Sequence, residues 1–144
     1  IMTYYEVRRD LNYSDKKIFD LICDIEKYSE FLPWCKDSNV YDINGNEFYS
    51  DITVGFNLIS ETFTSKVVID KPLQVVSSAT NGPFKKMINK WNIKSLNSEK
   101  CEVSLVIEYE FKSIILKKLL GHFFDQAAMK MIIAFEKRAK YIYG

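Results

Sequence analysis

The chain is poor in histidine: His122 stands alone among 144 residues. That excludes His-rich metal sites and acid–base schemes built on paired imidazoles. Cysteines number three, at positions 23, 35 and 101. They are odd in number and widely spaced, so they form neither a disulfide framework nor a zinc motif and read as reduced thiols. The five glycines make no GxGxxG or GxxxxGK[ST] phosphate loop. No apolar run approaches the roughly 20 residues of a membrane-spanning helix. The start, IMTYYEVRRD, is neither a signal peptide nor a basic transit segment. The expected location is therefore cytoplasmic, free or peripheral at the inner membrane. No charge excess announces a DNA-binding protein, since the formal net charge is +1.

Large side chains are plentiful. Hydrophobic residues make up 47% and aromatics 15%, with ten Phe, nine Tyr and two Trp. A chain of this length and composition folds as one domain, 1–144, with a well-filled core or a lined interior space. Charge is distributed unevenly. Residues 114–144 hold Lys117, Lys118, Lys130, Lys137, Arg138 and Lys140 against Asp125 and Glu136, a balance of +4, which leaves −3 for the rest. Such a basic segment is a solvated helix face or a phosphate-binding one.

Residues 3–12 read as a strand. Ser14 caps a following helix with its apolar face at Ile18, Phe19, Leu21, Ile22 and Ile25. Ser29 is placed to cap a second short helix that Pro33 cuts off. From Ser38 to Lys112 the period changes to two. Asn44-Gly45 marks a hairpin. Phe48, Ile52, Val54 and Phe56 alternate with Tyr49, Asp51 and Thr53, and Val103, Leu105, Ile107 and Tyr109 alternate with Glu102, Ser104 and Glu108. One apolar and one polar face means an antiparallel sheet solvated on one side. Residues 114–142 predict one long helix with an apolar stripe, Gly121 allowing a bend near its start. The fold class is α+β. A curved antiparallel sheet of about seven strands grips a long C-terminal helix, with two short helices after the first strand. A twisted sheet around one helix leaves a tapered interior space.

The segment YSEFLPWC (28–35) is unusually apolar for a break between elements. Together with TVGF (53–56), ETFTSKV (61–67), NGPFKKMINKW (81–91), YEFKS (109–113) and the run 119–144, it resembles a known family over nearly the whole chain. This is the START-like, polyketide-cyclase-related family of coenzyme Q-binding proteins, whose bacterial members are labelled ribosome association toxins. The resemblance implies a helix-grip fold with an apolar tunnel for ubiquinone or a similar polyprenyl lipid. It implies a non-enzymatic chaperone or carrier role supporting respiration, with no further cofactor. The alternative it implies is a ribosome-binding regulator that meets the large subunit and hinders subunit association. Lys85, Lys86, Lys90 and Lys94 are the sheet's contribution to that second reading, the last three sharing one strand face.

Nothing in the sequence assembles a catalytic set. Cys35 with His122 lacks an orienting partner, and Glu108 with Glu110 reads as solvated sheet charge. A cyclase or hydrolase remains the third and weakest reading. Lipid binding needs only apolar walls and a few polar groups. Candidate walls are Phe63, Val67, Met87, Trp91, Leu105 and Tyr109 on the sheet, and Phe124, Ala128, Met131 and Phe135 on the helix. Tyr109, Trp91 and Asn89 are candidate donors to a quinone carbonyl. Phe31, Leu32 and Trp34 in one segment, and Phe56 in Gly55–Leu58, are candidate lid residues in contact with membrane. A plug at the tunnel rim is the alternative for YSEFLPWC.

Overall fold

The computed structural model describes residues 2–144, apart from Asn57 and the side chain of Phe56. The predicted lid role of Phe56 therefore lies outside the described residues. Seven strands form one antiparallel sheet: β1 (Thr3–Leu11), β2 (Cys35–Asn44), β3 (Glu47–Phe56), β4 (Ile59–Asp70), β5 (Gln74–Asn81), β6 (Phe84–Asn97) and β7 (Lys100–Phe111). Their spatial order is β1-β7-β6-β5-β4-β3-β2, so β2 to β7 run as a meander and β1 closes beside β7. The period-two pattern decides which face is covered. Along β7, Cys101, Val103, Leu105, Ile107 and Tyr109 are buried while the residues between them are partly exposed.

The β2–β3 connection shows how turn chemistry fixes register. Asn44 pairs with Glu47, so the two turn residues are Gly45 and Asn46, one step later than the predicted Asn44-Gly45. Gly45 takes φ 62° and Asn46 does not need a positive φ, an arrangement in which only the first turn residue is left-handed.

The helices lie on the apolar face. α1 (Asp15–Cys23) is capped as expected, the Ser14 hydroxyl accepting from the Lys17 amide at 3.2 Å. The next segment, Ile25–Glu30, is a 3-10 helix. Ser29 lies inside it and caps nothing; its amide donates to the Ser38 hydroxyl, which in turn donates to the Glu26 carbonyl at 3.1 Å. One buried serine on β2 thus ties down the 3-10 helix. The predicted helix over 114–142 is present in two pieces, α2 (Ile114–Asp125) and the long C-terminal α3 (Ala127–Tyr143). The break falls at Gln126, not at Gly121. Its anchor is tertiary: the preceding Asp125 carboxylate accepts from Tyr5 at 3.0 Å and from Tyr109 at 2.8 Å, fixing the end of α2 to β1 and β7.

Candidate functional site

Between the sheet and the helices lies a cavity of about 70 Å³. Strands β3 to β7 supply one wall; the 3-10 helix, α2 and α3 supply the other. Seven of the predicted site residues line it, Phe63, Met87, Trp91, Phe124 and Met131 from the expected walls and Leu32 and Trp34 from the expected lid, with Asn89 and Ile107. The others stand elsewhere. Val67, Leu105 and Ala128 are buried in the surrounding core. Phe135 packs edge-on against Tyr28, Phe31 and Trp91, at centroid distances of 5.0–5.2 Å, and closes the floor behind the cavity. Phe31 faces a surface groove with Pro33, Lys137 and Arg138.

Tyr109 is the clear departure from expectation. Its hydroxyl donates to Asp125, and burial followed by that hydrogen bond holds its pKa well above the ordinary tyrosine value. It faces the α2 side with Asp125 and His122 rather than the cavity. A tyrosine hydroxyl already aimed at a carboxylate is not a donor to a cavity ligand. Asn89 keeps an inward position, and its amide nitrogen donates to the Met131 sulfur at 4.0 Å.

Sequence reasoning missed four lining residues of consequence: Ser50, Ser65, Ser77 and Cys35. Ser50 interrupts the inward face Phe48, Ile52, Val54, and Ser65 interrupts Phe63, Val67. The serines at every-second spacing among apolar residues were the available signal. Cys35 is chemically quiet. Burial pushes its thiol up to about 11, and its sulfur makes a long contact with the Asp37 carbonyl at 3.5 Å. His122 is exposed on α2, in surface grooves. No group of three His, Cys, Asp or Glu side chains able to hold a metal occurs among the described residues.

Trp34 occupies the junction of the cavity and two surface grooves. Its carbonyl accepts from the Gly55 amide at 2.9 Å, which pins its backbone to the end of β3. Its indole meets Phe123 edge-on. One groove beside it carries Lys130, Lys137 and Arg138 over an apolar floor of Phe31, Ile133 and Tyr141; Arg138 also bonds Glu30 at 2.8 Å. The other includes Pro33, Leu119 and Phe123. On the sheet's outer face, the predicted basic row is countered by acid: Lys86 pairs in register with Glu110, and Lys94 with Glu102.

The cavity volume decides what can fit. About 70 Å³ is roughly half the ~150 Å³ of a dry engineered cavity that accepts benzene. A ring with a polyprenyl tail therefore enters only if a wall moves. The sheet wall is held by continuous backbone ladders. The wall of Trp34, Phe123 and Met131 meets the sheet through side-chain packing.

The relatives of the chain agree with this architecture. The chain is 35% identical over 143 residues to the protein of Rickettsia prowazekii named ribosome association toxin RatA, covering 96% of this chain and 97% of that one. It is 32% identical over 143 residues to the mitochondrial coenzyme Q-binding protein COQ10 of Dictyostelium discoideum, covering 96% and 70%. A solved START superfamily protein from Mycobacterium smegmatis superposes with a TM-score of 0.77 at 18% identity, over 98% of each chain, and shows the shared fold. The family model for polyketide cyclase / dehydrase and lipid transport matches residues 11–136. Sheet, gripped helix, relatives and family model point the same way, and the chain belongs to the polyketide cyclase / dehydrase and lipid transport family.

Proposed function

We propose that the protein binds an uncharged polyprenyl lipid of the ubiquinone class between its sheet and its helices, as a chaperone or carrier and not as an enzyme. The observation that carries this reading is the cavity itself: it lies between sheet and helices, is largely apolar, and is bounded toward the surface by Trp34 and Phe123. The lipid-transport description of the family and the name of the Dictyostelium relative support it. The family description also names cyclases and dehydrases. Against catalysis here stands the cavity lining, where Cys35 is a thiol held neutral and His122 is absent. Ubiquinone gains little by leaving a bilayer for an equally apolar interior, since burial is worth ~0.8 kcal/mol per CH₂ in either place. Binding is thus weak relative to the membrane, and exchange is the protein's task.

The test is purification from a quinone-making host, organic extraction and mass spectrometry, with titration by added ubiquinone. Co-purifying quinone or saturable binding is the expected result. Absence of both overturns the reading.

A second reading has its own support: the RatA name of the Rickettsia relative and the groove with Lys130, Lys137 and Arg138. In that reading the groove meets ribosomal RNA phosphates, and association weakens steeply with salt. Ribosome sedimentation at low salt with the protein added distinguishes it. Unchanged subunit joining argues against it.

A further inference from the structure

The cavity wall carries a polar belt that its core role does not explain. Ser50 and Ser65 are each 1% exposed, they face one another in register on β3 and β4, and both line the cavity. Neither hydroxyl has a hydrogen-bond partner among the described residues. Ser77 and Asn89 face one another on β5 and β6 and line the same wall. Alanine at positions 50 and 65 would fill nearly the same space without stranding a hydroxyl. Buried, unpaired hydroxyls on adjacent strands are costly unless something in the cavity meets them.

Register locates the belt relative to the mouth. Val54 pairs with Cys35, beside Trp34, so Ser50 lies four residues inward along β3. Val67 pairs with Ser77, one inward step beyond Ser65, so the Ser77–Asn89 pair lies deeper still. The side chains nearer the mouth on this wall, Ile52, Val54 and Phe63, are apolar. The polar groups are therefore deep and the apolar collar is outside them. Among the described lining residues none carries a charge.

We infer that Ser50, Ser65, Ser77 and Asn89 form a headgroup subsite that takes the uncharged, oxygen-bearing end of an amphipathic ligand, inserted head first. Hydroxyl and amide groups both donate and accept, which suits ring carbonyls, ethers and hydroxyls. A carboxylate or phosphate has no counter-charge there and is refused. The tail then trails through the Ile52, Val54 and Phe63 collar to the Trp34–Phe123 side. The subsite rests on the lipid-binding reading above and adds ligand class and direction to it.

The experiment compares three probes on the full chain: ubiquinone with a two-isoprene tail, squalene as an oxygen-free isoprenoid, and oleate. Ser50→Ala, Ser65→Ala and the double variant are expected to hold or gain thermal stability, because each removes a stranded hydroxyl. Each single variant should bind the quinone roughly fivefold more weakly, the loss expected for one neutral hydrogen bond. Squalene affinity should not change, and oleate should bind far more weakly than the quinone. Direction is read from the two tryptophans, since a quinone ring quenches indole on contact. Trp34→Phe leaves only Trp91, which lines the cavity, and Trp91→Phe leaves only Trp34. Stronger quenching of Trp91 than of Trp34 is expected. Equal quinone affinity in the double serine variant, serine-independent tight binding of oleate, or stronger quenching of Trp34 each overturns the subsite while leaving lipid binding in place. Failure of both squalene and quinone to bind the unmodified protein overturns the lipid-binding reading and the subsite with it. Crystals of the quinone complex in which the serines bond only ordered water also overturn it.

Discussion

The indole of Trp34 and the ring of Phe123 meet edge to face, with centroids 5.5 Å apart and planes at 74°. Trp34 comes from the segment between the 3-10 helix and β2 and Phe123 from α2, so this one contact joins that segment to α2 across the cavity's outer side. An edge-to-face pair contributes about 0.5–1.5 kcal/mol beyond its buried area. Trp34 is also half-buried, with its backbone already held by Gly55. Trp34→Ala should therefore raise the rate of ligand release by about threefold to tenfold, with secondary structure intact. Stopped-flow transfer of ubiquinone to acceptor vesicles measures it. A collapse in thermal stability together with loading would instead identify Trp34 as a structural plug.

Asp125 fixes the elbow between α2 and α3. Its carboxylate takes both tyrosine hydroxyls, one from each of the neighbouring strands β1 and β7. Hydrogen bonds to a charged group contribute about 1.5–3 kcal/mol each when buried, less where solvent competes as at Tyr5. Asp125→Ala should cost about 2–3 kcal/mol in total, or roughly 5–10 °C in Tm for a chain of this size. Amide exchange should quicken over 114–126 first, since the clamp is what ends α2. Asp125→Asn, which keeps an acceptor, should lose about half as much.

The contrast between these two contacts explains what sequence could reveal. Strand identity follows from period two, which covers several residues per element, so the sheet and its covered face were readable from patterns such as Val103–Tyr109. The break at Gln126 was not, because Asp125, Tyr5 and Tyr109 are distant in sequence and only the fold joins them. The same contact removed Tyr109 from the cavity: an inward position on the strand does not fix where a hydroxyl points. Ser50 and Ser65 were visible as interruptions of apolar faces, yet small residues carry little weight in a hydrophobic pattern. Their meaning depends on register, which sets them opposite one another. Ser29 does not cap because the 3-10 helix already begins at Ile25; what it contributes is its backbone amide, donated to the Ser38 hydroxyl.

Alkaline pH should weaken the fold in two stages. Burial pushes the thiols of Cys35 and Cys101 up to about 11, from an ordinary value of 9.0. Between those values the unfolded chain ionises and the native one does not. The stability these two thiols contribute is thus fully present below pH 9, falls as pH rises, and is lost above 11. Burial likewise raises Tyr28 and Tyr109 above the tyrosine value of 10.0, which adds a further loss above pH 10. Urea midpoints under reducing conditions should decline from pH 9 onward and more steeply past 10. A Cys35→Ala, Cys101→Ala double variant should flatten the first stage only. A midpoint that stays constant through pH 10 contradicts the neutral, buried state of these thiols.

Exchange with a membrane requires an apolar surface near the mouth, and α2 supplies one. Ile115 and Leu119 are exposed and sit four residues apart, hence on one helix face. Leu119 shares its groove with Trp34 and Phe123, which places this face beside their contact at the cavity's outer side. Lys117 and Lys118 flank it on the same helix. No helix among the described residues is long and apolar enough to cross a bilayer, so α2 would rest on the surface. Inserting two such side chains is worth about 1.5–3 kcal/mol each. Ile115→Asp with Leu119→Asp should lower binding to anionic vesicles by at least about tenfold, and slow vesicle-to-vesicle transfer of ubiquinone to match. The substitutions fall on exposed positions, so Tm should move by no more than about 2 °C. Binding of ubiquinone presented in detergent should be unchanged, which separates loss of docking from damage to the cavity. Transfer that continues at the original rate would mean that ligand reaches the cavity without α2 touching the bilayer.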